Sequence, residues 1–177
     1  MVQLYRLILI GVVLCVAGPA RGEMLQFATP DGMKSWPKLN DPPDWHQDQE
    51  SSQRLNANFL IPDGVDPAKT DVAIEARGVS RINNSLSQML EKDRAAAPAG
   101  TQVKQLPAVA DRDGTPFNLY SFAPPAGTSG GWKAIAYSEE GDTLLAFTLN
   151  ARSQAVYESN FPVFVGLVQK YAKDIPW

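Results

Sequence analysis

One short segment gathers the residue types that could hold a divalent cation: Asp44-Trp45-His46-Gln47-Asp48-Gln49-Glu50. In an extended strand alternate residues share a face, so Asp44, His46, Asp48 and Glu50 would point together. Carboxylates with an imidazole suit zinc or manganese. In a helix the grouping is broken, and a solvated polar stretch beside a buried Trp accounts for the same residues. That plainer reading is preferred, because acidic residues near one histidine are common on surfaces. The four residues stand as candidate ligands only.

Two further places carry residue types that could do chemistry. Gly127-Thr128-Ser129-Gly130-Gly131 echoes the Gly-x-Ser-Gly-Gly around a serine protease nucleophile, with His46 far upstream as the only histidine. The chain is too short for the two barrels of that fold, and a loop after Pro124-Pro125 leading into a hairpin explains the glycines. A triad is defined by geometry, and the spacing offers none. Trp36, Trp45, Trp132, Tyr137, Tyr157 and Trp177 could line a ligand groove, but core positions are the preferred reading. The one cysteine, Cys15, falls in an apolar stretch near the start. Acid–base chemistry would therefore rest on carboxylates, lysine or tyrosine. No phosphate loop or zinc spacing is present. The sequence predicts no catalytic residue and no cofactor.

The elements that position these residues follow from periodicity. Glu23 to Ser52 is Pro-rich and polar, with Phe27, Trp36 and Trp45 as aromatic punctuation. It reads as an extended arm laid against the domain, with a possible short strand over 24–29. Leu55, Ala57, Phe59 and Ile61 alternate with polar neighbours, as do Val72, Ile74 and Ala76, and each set predicts a half-buried strand. Ile82, Leu86, Met89 and Leu90 form one helical stripe, ended by Pro98 and Gly100. Val103 to Val109 and Phe117 to Phe122 predict strands around Asp111-Arg112-Asp113-Gly114. Trp132 to Ser138 and Thr143 to Ala151 predict a hairpin over Glu139-Glu140-Gly141-Asp142. Leu144, Leu145, Ala146 and Phe147 are apolar on both faces, which implies a layer above and a layer below the sheet. Phe161, Phe164, Val165, Val168, Tyr171 and Ile175 predict a final helix, with Pro162 in its first turn and Ser159 or Asn160 as cap. The expected architecture is α+β: an antiparallel sheet of about five or six strands with helices on both faces.

The first 22 residues have the order that export requires. Arg6 precedes an apolar run from Leu7 to Ala17, then Pro19 and the small residues Gly18, Ala20 and Gly22. Small side chains at −3 and −1 place cleavage between Gly22 and Glu23. The apolar run is well short of the roughly 20 residues that span a bilayer, so no stable membrane insertion is expected after cleavage. A lipoprotein reading of Cys15 fails on Leu14, where that processing needs a small residue. The predicted division is leader 1–22, arm 23–52 and one domain 53–177, with a periplasmic or secreted location. Arg6 and Arg21 leave with the leader, so 19 acidic residues outnumber the remaining basic ones. That balance argues against nucleic acid and anionic membrane as partners.

The strand Leu144-Leu145-Ala146-Phe147-Thr148-Leu149, then Tyr157, then Phe161-Pro162-Phe164-Val165 and Tyr171, resembles the PsbP/Mog1-like superfamily, as does the strand Leu55 to Pro62. The resemblance covers 54–174 and departs from the family in its Pro-rich N-terminal segment. It implies Mog1/PsbP-like α/β/α layers, as in exported bacterial members of unknown role, and a binding or assembly module rather than an enzyme. The leading functional expectation is an exported non-catalytic module whose partner is an envelope or secreted protein. The alternatives are a small metal- or ligand-dependent enzyme using Asp44 to Glu50, and an inhibitor or immunity-type protein acting through its acidic surface.

Overall fold

The computed structural model describes residues 24–29, 32–128 and 130–172, with side chains from Trp36 onward. The predicted leader, its Gly22–Glu23 junction, Ser129, Ile175 and Trp177 lie outside the described residues. β1 (Met24–Thr29) and β2 (Gly32–Pro37) pair as a separate two-stranded sheet. The main sheet contains β3 (Trp45–Gln47), β4 (Asn58–Pro62), β5 (Val72–Ser80), β6 (Gln102–Gln105), β7 (Val109–Ala110), β8 (Pro116–Ala123), β9 (Trp132–Glu140) and β10 (Thr143–Ala151). Its order is β3-β4-β5-β10-β9-β8-β6, with β7 also on β8, and every pairing is antiparallel. The helices are α1 (Gln49–Leu55), α2 (Leu86–Ala96) and α3 (Gln154–Lys170). The fold is the expected α+β sheet with helices on both faces, with more strands than the five or six predicted.

The alternation of β10 explains the layers. Leu145, Phe147 and Leu149 point to one face, where they pack with Ile74, Ala134, Phe117 and the α3 residues Phe164, Leu167 and Val168. Leu144 and Ala146 point to the other, against Ile135, Tyr137 and Met89 of α2. Burial of each such large side chain contributes about 1.5–3 kcal/mol. Phe117, Phe147 and Tyr171 form a three-ring cluster with centroids 5.2 to 6.0 Å apart.

Element boundaries differ from the sequence reading wherever a polar side chain captures a backbone N–H. Asp48 caps α1, its carboxylate accepting from Ser51 N at 2.8 Å, so Leu55 ends a helix rather than starting a strand. Asn56 closes that helix in the left-handed region with φ of 55°. Ser85 caps α2 and leaves Ile82 outside it, 75% exposed, although the stripe had included it. Ser153 caps α3 well before Ser159, which places Pro162 inside the helix instead of in its first turn. There the proline removes the backbone bond that Glu158 O would otherwise accept. The arm, too, is more structured than expected. It supplies β2, β3 and α1, and Trp36 and Trp45 are buried.

Candidate functional site

Two neighbouring strands, β10 and β9, change from apolar to polar along the face that carries α2, and β5 beside them carries two charged residues there. On β10 the side chains of this face run Leu144, Ala146, Thr148, Asn150; on β9 they run Tyr137, Ile135, Lys133. On β5 they run Val79, Arg77, Glu75, Ala73, in register with β10 through Glu75↔Thr148 and Ala73↔Asn150. The apolar ends of β10 and β9 pack with Met89 of α2, and Thr148, Asn150, Lys133 and Glu75 lie outside that cluster. These four belong to neither of the apolar clusters that α2 and α3 join.

That polar end forms a pocket of about 350 Å³, with a floor of Phe59, Ala73, Glu75 and Asn150 and a rim of Asp71, Arg152, Gly130 and Gly131. Asn150 Nδ2 donates to Glu75 Oε1 at 2.9 Å. Burial raises the Glu75 carboxyl above its usual range, against the opposing pull of Arg77 and Lys133. Neither cation comes within 4 Å of Glu75. The rim is stitched from three segments: Gly130 N donates to Arg152 O and Arg152 N to Asp71 O, each at 2.9 Å. The Arg152 Nη1–Asp71 Oδ1 ion pair, 3.3 Å, is solvent-exposed. Gly131 takes φ of 83°, and a Cβ there would meet Pro98 and Pro124, so glycine suits this rim.

A second groove of about 380 Å³ lies on the α3 side, between α3 and the β8–β6 edge, and Trp132 lines both. Its aromatic wall is Trp132, Tyr157 and Phe161, with centroids 5.9 and 5.5 Å apart. Burial, with Glu158 beside it, pushes the Tyr157 hydroxyl up to about 12. The aromatics expected in the core divide accordingly: Trp36, Trp45 and Tyr137 are buried, while Trp132 and Tyr157 are partly exposed groove residues.

The sequence-derived ligand candidates are not gathered. Asp48 is occupied as the α1 cap, and its hydrogen bonds with Ser51 hold its carboxyl below the usual range. Glu50 lies in the first turn of α1. Asp44 precedes β3 with φ of 63°, and its carbonyl accepts from Asp63 N. His46 Nδ1 meets Asp63 Oδ1 at 2.8 Å, a residue outside the predicted set. Among the described residues no three histidine, cysteine, aspartate or glutamate side chains converge on a metal position. β3, which carries His46, is separated by β4, β5 and β10 from the strand that follows Gly131. Four strand spacings, roughly 19 Å, lie between β3 and that strand.

Glu75 and Asn150 were not singled out from the sequence. The usable signal was the polarity change on β10, where Thr148 and Asn150 interrupt the two-sided apolar run, together with Glu75 opposite the apolar side of β5.

No protein-family model matches the sequence, and no curated protein matches it. Three solved structures are similar in layout, each at 12% identity. A Pseudomonas aeruginosa protein of unknown function has a TM-score of 0.47, covering 88% of this chain and 100% of that one. The Saccharomyces cerevisiae Ran-binding protein Mog1p has 0.40, with 85% and 86% covered. Cyanobacterial PsbP from Synechocystis has 0.38, with 89% and 95% covered. The chain thus has a fold-level resemblance to Mog1 and PsbP-like structures, at values that transfer no residue's role.

Proposed function

We propose that the protein is a non-catalytic binding module, exported from the cytoplasm, that engages a partner through the open end of its α2-side sheet face. The observation that carries this is the Glu75 pocket: a desolvated carboxylate on a floor of three paired strands, without a cation in ion-pair range among the described residues. Charged groups are rarely buried without a partner, and one kept at a concave surface suits recognition. Among the described residues the site lacks the pairing of nucleophile and base that covalent catalysis needs. Export rests on the Arg6, Leu7–Ala17 and Ala20-Arg21-Gly22 pattern.

Thr148→Arg places a long side chain in the open end, whereas Ala155→Arg alters an exposed position of α3. Partner co-purification from the envelope fraction of the source cell is expected to persist in A155R and to be lost in T148R. Both variants are first checked for a wild-type thermal melt. Retention of the partner by a folded T148R would overturn the assignment of the face. N-terminal sequencing of the protein from that fraction is expected to begin at Glu23; an intact Met1 start in the cytoplasm would overturn export.

A further inference from the structure

The geometry points to the Glu75 pocket as a receptor for a guanidinium group, presented as an arginine side chain of the partner. This deepens the reading above and rests on the open end being the binding face. Glu75 and Asn150 together present a pair of acceptors. Asn150 spends Nδ2 on Glu75 Oε1, which leaves Asn150 Oδ1 and Glu75 Oε2 without a donor among the described residues. Nothing else on the floor competes for them, since Phe59 and Ala73 are apolar. Among the described residues two carboxylates line the pocket against one guanidinium, and that one, Arg152, is already held at the rim by Asp71.

The surrounding charges need naming from each element. β5 adds Arg77, β9 adds Lys133, α2 adds Asp93, and these act on Glu75 through space. None of the three lines the pocket, so they tune its field without filling it. The choice of guanidinium over ammonium follows from the walls. A guanidinium carries five donors in a planar fork, is weakly hydrated and tolerates apolar contact on its faces. The fork suits two neighbouring acceptors, and Phe59 and Ala73 supply the apolar contact. A primary ammonium is a strongly hydrated point charge and would keep more of its water here. An anionic ligand would meet Glu75 directly.

The probe is n-butylguanidinium chloride, titrated into the isotope-labelled full-length protein at neutral pH and constant ionic strength. Saturable shifts are expected at the Asn150 side-chain amide and the backbone amides of Ala73 and Glu75, with n-butylammonium binding more weakly. Glu75→Gln keeps an acceptor for Asn150 but removes the charge, and is expected to weaken binding about tenfold or more. Lys133→Gln leaves both acceptors in place and is expected to bind as tightly as wild type or more so. Absence of saturable shifts, shifts confined to other residues, unchanged affinity in E75Q, or a loss in K133Q would each overturn the assignment. The two readings fail separately. Loss of the partner in T148R with no response to the probe would leave the face standing and remove the guanidinium.

Discussion

The two faces of the sheet are built from the same strands and are covered differently. A 17-residue helix, α3, lies across one face, and Leu145, Phe147, Leu149, Ile74 and Phe117 meet it without a polar interruption. An 11-residue helix, α2, lies on the other, and beyond it the same strands carry Thr148, Asn150, Lys133 and Glu75. Helix length converts directly into covered sheet at about 1.5 Å per residue. A short helix therefore leaves room for a site, and a long one fills the core. The α3 face is where stability is concentrated; the α2 face is where it is partly given up, with a desolvated carboxylate kept in place.

Truncation tests this asymmetry most severely. Phe147→Ala is expected to cost about 3–5 kcal/mol in urea unfolding, because the ring is fully buried within a three-ring cluster. Met89→Ala on the α2 side is expected to cost about 2 kcal/mol. Equal losses would break the comparison.

Each face also buries a tyrosine hydroxyl on a carboxylate: Tyr171 on Glu140 at 2.7 Å on the α3 side, and Tyr137 on Asp93 on the α2 side. Tyr171→Phe is expected to cost about 1–3 kcal/mol, since Glu140 Oε1 is already buried without a partner among the described residues and Oε2 would join it. Burial, reinforced by the carboxylate, pushes both hydroxyls well above the usual tyrosine range. Above about pH 10 an unfolded tyrosine loses its proton while these two keep theirs. The folded state then binds more protons, so stability falls as pH rises. Either Tyr→Phe variant is expected to flatten that alkaline decline in a denaturation series; an unchanged slope in both would show that the hydroxyls are not held as described.

Glu75→Gln is expected to have the smallest effect and the opposite sign. The folded Glu75 carboxyl titrates above its unfolded value, so the folded state holds the proton longer. Stability contributed by that proton is present at low pH and lost as pH rises from about 4.3 through the raised folded value. At pH 7 the variant is expected to be as stable as wild type or slightly more so, by under about 1 kcal/mol. A clear destabilisation at pH 7 would show that the carboxylate is structural, and would weaken the contrast between the faces.

The layers were legible in the sequence because they rest on local periodicity. The apolar run at Leu144–Phe147 announced cover on both sides, and the hairpin around Gly141 follows from its alternation and glycine. Of the arm, β1 and the packing of its tryptophans were legible, and β2, β3 and α1 were not. Asp48 could be a ligand in a strand or a cap for a helix, and only the position of Ser51 N decides between them. α3 was begun too late for a similar reason: Ser153, Ser159 and Asn160 are all competent caps, and Pro162 favoured the later ones. The site was the least visible part. Glu75 and Asn150 are 75 residues apart, and their contact depends on the β5–β10 register, which the sequence does not state.

The most direct test of the account is site-specific photo-crosslinking in the source cell, with a benzophenone side chain at Thr148 in one variant and at Ala155 in another. The account predicts one dominant crosslinked protein from Thr148, through a partner residue adjacent to an arginine, and none from Ala155. The same product from both positions, or a product from Ala155 alone, would contradict the open end of the α2 side as the binding face.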